Sequence, residues 1–438
     1  MLTQENGVTK DVYPDDQEHI VIIGTGWAGY NVSQNLNDKK FNITIISPED
    51  TSPYTPLLAS AACGLFDFSL AEEPIRHKSK KITYYKGIVE DVDFDKKFCK
   101  CRSTCDIDGV TENTQFNVRY DRLVLAPGCV SNTFHTPGAD DHAFFVKNVN
   151  DAKRVQFRLK QLLELASLPN TSDEKQRELL HIIVVGGGPT GVEISAEMSD
   201  LFNDDMSKLY PLLAGKMTIT IHDAAPFILG AFEKALREHA ISSFSKRGVN
   251  VKPDSKIKKV EADSITTEAD GRIGCGMVLW TAGNKQCPLV DKLDVCKTDK
   301  VPRILTDQHL HVLRASGPYD EDKTPLPDVY ALGDAADIKK YFLPTTAEVA
   351  VQKAEYLASV LNKGTDGRKV FEYKQKALVA YIGGHDGVVA GRPDWNGARA
   401  WTAWRSKNLL WTRSWRRKIM IMIYWGLDWM GGKEIARL

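Results

Sequence analysis

The chain has 438 residues, in which 57 Lys plus Arg balance 57 Asp plus Glu, so its formal charge is zero. At about 150 residues per domain this length predicts two or three domains, and the neutral balance excludes a chain built as a whole to hold nucleic acid, whose phosphates need a basic field. An apolar share of 42% is enough for packed cores, whereas the longest apolar run, Ile419 to Leu427, is shorter than the roughly 20 residues of a membrane-spanning helix.

The first residues, up to His19, carry Glu5, Asp11, Asp15, Asp16 and Glu18 against Lys10 alone. Secretory signals and mitochondrial presequences avoid such acidity, so no cleavable targeting segment is expected. The apolar run His19-Ile-Val-Ile-Ile then meets Gly24-Thr-Gly26-Trp-Ala-Gly29, followed by a helical stretch and the alternation Phe41 to Ile46. Lys81 to Leu125 reads as strand-rich, Asn150 to Ala166 as a helix, and Ser167 to Arg177 as a polar loop and domain boundary. The opening grammar then returns: His181-Ile-Ile-Val-Val, Gly186-Gly-Gly188-Pro-Thr-Gly191, a helical stretch, and the strand Met217 to Ile221. Val251 to Leu279 reads as short strands and turns, and Ser316 to Pro327 as a loop before Val329-Tyr-Ala-Leu-Gly-Asp334. The predicted class is α/β: two doubly wound, Rossmann-like dinucleotide-binding domains, the second inserted in the first. The expected bounds are 18–165 for the first part of the outer dinucleotide domain, 178–300 for the inserted one, 301–394 for the second part of the outer domain, and 395–438 for a C-terminal segment.

In each glycine triplet the first glycine permits a tight turn and the second lets backbone approach a pyrophosphate. The third allows close helix–strand packing, with the phosphates on the helix N-terminus. Gly24, Gly26 and Gly29 form one cradle and Gly186, Gly188 and Gly191 the other. At the end of the following strand the second unit supplies Asp223, which suits a ribose 2′-OH and repels a 2′-phosphate; the bland alternative is a turn aspartate. The first unit has Ser47 there, which offers one hydrogen bond and no charge.

Together these motifs resemble the two-dinucleotide flavoprotein superfamily, and more closely the type II (alternative) NADH dehydrogenases. The likeness rests on Ser47-Pro followed by Thr55-Pro-Leu-Leu58, Leu123-Val-Leu-Ala-Pro-Gly128 and Val184-Val-Gly-Gly-Gly-Pro-Thr-Gly-Val-Glu193. Val329-Tyr-Ala-Leu-Gly-Asp334 and Pro344-Thr-Thr-Ala-Glu-Val-Ala-Val-Gln352 complete it. The resemblance implies hydride transfer from NADH to FAD, then two electrons to a quinone, without proton pumping. It places FAD on the first cradle, with Ala126 and Gly128 closing over it and Asp334 at its ribityl or pyrophosphate region, and NADH on the second cradle and Asp223. Glu193 would orient the nicotinamide or relay a proton; otherwise it is a helix N-terminal acid favoured by the dipole. The chain departs from the family at Glu49, where a basic residue is usual, and at Glu348, where eukaryotic members commonly carry a glutamine four before Gln352. Glu348 and Gln352 share one helical face and are the expected quinone-side pair. The runner-up is a soluble NAD(P)H oxidoreductase of the apoptosis-inducing-factor type with another acceptor. A redox-inert NADH-sensing protein would lose the flavin contacts.

Eight cysteines form no regular framework, which fits a reducing compartment. Cys63 stands alone where disulfide reductases carry a pair, Cys99, Cys101 and Cys105 match no zinc spacing, and His309 with His311 reads as packing or surface, so no metal is expected. Seven of the nine tryptophans lie from Trp395 onward, and from Arg399 to the end nine basic residues face only Asp428 and Glu434. Tryptophan favours the membrane interface, and each Lys or Arg near an anionic surface adds about 1 kcal/mol. The segment therefore reads as an amphipathic helical anchor lying in the interface plane, with a core-packing or dimerising helix pair as the alternative. In the resembling family it both anchors and dimerises, and residence on the mitochondrial inner membrane follows from that resemblance alone.

Overall fold

The computed structural model describes residues 3–5, 8–10, 17–76, 81–107, 110–315, 324–365, 367–391, 393–412 and 414–431. The chain divides into two compact units, one of residues 1–52, 73–130 and 284–374, the other of 53–72, 131–283 and 375–438. These bounds differ from the sequence reading: 53–72, 131–165 and 375–394 go with the second unit, and 284–300 with the first. The polar stretch expected as a loop holds a short helix, Asp173–Leu179, because the Ser172 hydroxyl accepts the Lys175 N–H (3.2 Å) and Asp173 and Glu174 occupy its first turn. Most of the expected loop Ser316 to Pro327 lies outside the described residues; from Pro325 the chain is already strand.

In the first unit, five parallel strands run in the spatial order Ile82–Asp93, Phe41–Ser47, Glu18–Ile23, Arg122–Leu125, Pro325–Ala331. This is the doubly wound 3-2-1-4-5 arrangement, and the direction of winding reverses beside Glu18–Ile23, which feeds the first glycine turn. The apolar run fills a strand covered on both faces: Ile20 and Ile22 belong to one core cluster and Val21 and Ile23 to another. The helices Trp27–Asn35 and Ala347–Lys363 pack together on the first of these faces.

The second unit repeats the plan. Its parallel strands are ordered Val249–Lys252, Thr218–His222, His181–Val185, Met277–Trp280, again with the glycine turn after the strand where winding reverses. The repetition reaches single side chains: His19 bonds Thr44 across the first pair of strands at 2.8 Å, and His181 bonds Thr220 across the second at 2.9 Å. A hairpin, Leu378–Gly383 with Asp386–Ala390, and the helix Ala398–Trp411 also belong to this unit, and the hairpin packs on the helix Pro189–Asp200.

Candidate active site

The first cradle has the geometry its glycines demand. Gly24 sits at φ +97°, its N–H bonded to the Ile46 carbonyl (2.9 Å), and a Cβ there would lie 2.2 Å from the Ala126 carbonyl oxygen. A Cβ on Gly29 would lie 2.1 Å from the Gly24 oxygen, so the helix can lean on the turn only without it. Gly26 differs: a Cβ would meet nothing within 4 Å, and no side chain caps the helix that Gly26 begins. The cradle is therefore open at the residue that faces the ligand, with a helix N-terminus behind it, which fits a pyrophosphate. Ser47 is buried, and its hydroxyl is spent on Thr25 (2.8 Å) and the Glu49 N–H (3.2 Å). Its part is to brace the turn, while Glu49 follows at the rim.

The second cradle matches closely. Gly186 has φ +108°, its N–H bonds the His222 carbonyl (2.8 Å), and a Cβ would come within 2.8 Å of the Ala282 nitrogen. Gly191 stands against the Gly186 oxygen, where a Cβ would lie at 1.9 Å, and Gly188 is open and uncapped, with Pro189 at the first helical position. Asp223 lies where Ser47 lies in the first unit and also reaches back to the turn. It accepts the Gly187 N–H (2.6 Å) and the Ala225 N–H (2.8 Å). Each carboxylate oxygen keeps a further lone pair for a hydroxyl donor.

The helix Pro189–Asp200 carries Glu193, Glu197 and Asp200, spaced by four and three; Glu197 and Asp200 are buried and Glu193 is partly so. The Trp404 indole N–H donates to Glu193 (3.0 Å), the Ser60 hydroxyl donates to Glu197 (2.6 Å), and Arg247, the Tyr381 hydroxyl and the Gly384 N–H converge on Asp200. Tyr381 stacks on Trp404, with ring centroids 4.9 Å apart. Burial pushes the Glu193 carboxyl up to about 7, against the Trp404 bond and a backbone bond from Tyr381, which favour the ionised form. Sequence reading singled out Glu193 alone. The signal for its companions was periodicity: acids recurring at helical spacing among Val192, Ile194, Ala196 and Met198 mark a polar row on a buried helix. Trp404, counted from sequence with the interfacial tryptophans, is only 5% exposed and serves Glu193 instead.

In the first unit, Ala126 is buried beside Gly24 and Gly128 adopts φ +70° with open space at its Cβ. Asp334 follows Gly333 (φ +79°) in a tight turn and receives the Cys129 thiol at 3.2 Å. It lines a cleft with Gly333, Thr346, Val349, Ala350 and Lys353. A carboxylate at the mouth of such a cleft suits sugar hydroxyls, which are donors. Glu348 and Gln352 share a helical face, as their spacing predicts, and bond each other (3.1 Å). The Gln352 amide also pairs with both backbone groups of Lys374 (2.9 and 3.0 Å), so half its capacity fixes the following chain.

Cys63 is fully buried, and Cys99 and Cys101 point together into the core beside Val92 and Val118, with burial pushing the Cys101 thiol up to about 12. His311 bonds Asp307 and packs on Tyr330, and His309 contacts the Lys369 carbonyl. Among the described residues no helix is long and apolar enough to cross a membrane. The last helix, Trp415–Gly431, bares Trp415 (73% exposed), Ile419, Met422, Ile423, Leu427 and Trp429 (84%), burying Ile421. Its neighbour is attached to it by Arg405, sandwiched between the Trp401 and Trp425 rings (4.4 and 4.7 Å).

Two open phosphate cradles of one design, the second bearing an acidic ribose position, define a two-dinucleotide oxidoreductase scaffold. Residues 18–354 match the family described as pyridine nucleotide-disulphide oxidoreductase. A probable NADH dehydrogenase of Dictyostelium discoideum is 32% identical over 96% of this chain and 91% of its own length. An internal alternative NAD(P)H-ubiquinone oxidoreductase of Solanum tuberosum mitochondria is 30% identical over 97% of this chain and 89% of its own. Among solved folds, NDH2 of Plasmodium falciparum in complex with NADH superposes with a TM-score of 0.87 at 24% identity, covering 96% of this chain and 99% of that one. The chain belongs to the pyridine nucleotide-disulphide oxidoreductase family, in its branch of type II NADH dehydrogenases.

Proposed function

We propose that the protein is an FAD-dependent NADH:quinone oxidoreductase that pumps no protons and works at a mitochondrial membrane surface. The observation that carries this reading is the duplicated cradle, open at Gly26 and again at Gly188; the carboxylates of Asp334, on a cleft, and Asp223, at the second turn, support it because they suit sugar hydroxyls. The relatives' names supply the donor and acceptor, NADH or NAD(P)H and ubiquinone, and the compartment. When bound, FAD supplies the chemistry: it accepts a hydride from NADH and returns two electrons to the quinone.

The chain's own residues bind, orient and move protons. Gly24, Gly26 and Gly29 hold the FAD pyrophosphate, with Ser47 bracing the turn, Ala126 and Gly128 lying beside it, and Asp334 accepting from the sugar chain. Gly186, Gly188 and Gly191 hold that of NADH, and Asp223 selects an unphosphorylated ribose by charge. Glu193 is poised near neutral pH, where a group can both hold and release a proton efficiently, and quinone reduction consumes two. Glu348 and Gln352 form the polar pair on the quinone-side helix. The exposed apolar side chains of Trp415–Gly431, beside the collar Arg416, Arg417 and Lys418, suit the headgroup boundary of an anionic bilayer, where a hydrophobic quinone also resides.

The test is NADH oxidation by the purified protein with and without a short-chain ubiquinone, together with co-flotation on anionic vesicles for the parent and an Ile419→Glu, Ile423→Glu variant. Quinone-accelerated turnover and vesicle binding lost in the variant support the reading. A flavin that NADH reduces but quinone never reoxidises would refute the acceptor. A variant that stops self-associating yet still floats would assign the helix to a homodimer instead.

A further inference from the structure

Lysine is seldom found in a core, because an ammonium group removed from water must be compensated. Lys353 is nonetheless 1% exposed, on the inward face of the helix Ala347–Lys363 among Val349, Ala350, Ala354 and Leu357. Its Nζ donates to the Ala336 carbonyl at 3.3 Å; an ammonium has three donors, and among the described residues the other two are not engaged. The charges around it are Asp337, Arg303 and Asp334. Arg303 binds Asp337 at 3.0 Å, so that pair cancels, leaving Lys353 positive and Asp334 negative on the same cleft.

We infer that the buried ammonium of Lys353 sets the redox poise of the flavin held in this cleft, favouring its reduced form. The inference rests on the reading that this unit holds FAD. A hydride leaving C4 of NADH carries two electrons and one proton to the flavin N5. It yields NAD⁺ and a reduced flavin that has gained one negative charge, with no other reactant. The fixed charges of the cleft sum to zero with Lys353 and to −1 without it. A net negative cleft penalises the reduced anion and leaves the neutral oxidised ring almost untouched, and low dielectric makes the difference felt. The sign follows from charge count alone. Asp337→Asn reverses it wherever Lys353 keeps its proton, because Arg303 then stands uncancelled and the cleft carries +1; since burial already draws the ammonium down to about 8 and Asp337 is its main support, the titration is run at pH 6. Lys353 is thus a positioning residue for charge and takes no part in the hydride's path.

The experiment is an anaerobic titration of the FAD-loaded, full-length protein against a reference dye, for the parent, Lys353→Met, Lys353→Gln, Lys353→Arg and Asp337→Asn. Bound FAD and melting temperature are followed in each. The neutral variants should lower the equilibrium constant for reduction by NADH at least about tenfold, which is about 30 mV for a two-electron couple. Lys353→Arg should stay near the parent, and Asp337→Asn should move the other way. Neutral variants that keep both FAD and the parental potential overturn the inference and make Lys353 a structural lysine only. An Asp337→Asn potential that is unchanged or lower overturns it even where neither neutral variant folds. A parent that binds no FAD refutes the reading beneath it instead.

Discussion

Replacing Glu193 by glutamine should stabilise the protein, increasingly as pH rises from about 4.5 to about 7 and fully above that. The carboxyl has an ordinary value of 4.5 and is raised to about 7 by burial. The folded state therefore holds this proton more tightly than the unfolded chain does. Stability contributed by the protonated group is complete below about 4.5, is lost as pH rises towards 7, and is absent above. A rise of about 2.5 units at 1.36 kcal/mol per unit gives about 3 kcal/mol as an upper bound, and the partial exposure of Glu193 brings the expected figure to about 2 kcal/mol. Glutamine keeps the shape and an oxygen to accept the Trp404 N–H but never ionises. Urea unfolding at saturating FAD and fixed ionic strength, at pH 5, 7 and 8.5, should show the variant near parity at pH 5. It should lead the parent by about 2 kcal/mol at pH 8.5. A difference of equal size at all three values, or one that grows towards acid, would refute the assignment of a raised carboxyl.

Other outcomes are specific. Gly26→Ala should melt with the FAD-free parent yet purify poor in flavin, while Gly24→Ala, which combines φ +97° with a 2.2 Å clash, should lose several degrees of melting temperature whether or not FAD is present. Gly188→Ala should raise the NADH KM at unchanged stability, read by initial rates. Arg247→Met strips the cation from buried Asp200 and should cost about 3–5 kcal/mol in unfolding measurements, with Arg247→Met plus Asp200→Asn recovering part of it. Trp404→Phe removes a donor to the ionised form of Glu193, so the alkaline limb of the quinone-reductase pH profile should move upward.

What the sequence made legible follows from periodicity. A strand buried on both faces must be apolar throughout, and a glycine turn must come where winding reverses, so both cradles are legible in the sequence. The partners of the helix Pro189–Asp200 could not. Trp404 meets Glu193 from 211 positions away, and Ser60 meets Glu197 from 137 positions before it. No local rule connects such pairs, and tryptophan's preference for interfaces pointed the wrong way for the one that is buried. Lys353 was equally silent, because a lysine between Gln352 and Ala354 looks like any solvated helix position until the opposite face proves to be occupied.

The near-identity of the two glycine turns has an evolutionary reading. A module that recognises only a pyrophosphate and a helix end is indifferent to what hangs on either side of it, so one copy could be duplicated without first acquiring a new ligand. On that reading, divergence would act at single positions around an unchanged frame. Ser47 and Asp223 occupy such a position: both reach back to the residue after the first glycine, and they differ by one charge. Exchanging them is a small step in sequence but would alter which nucleotide each half tolerates, so the ancestry of the enzyme and its redesign meet at the same two side chains.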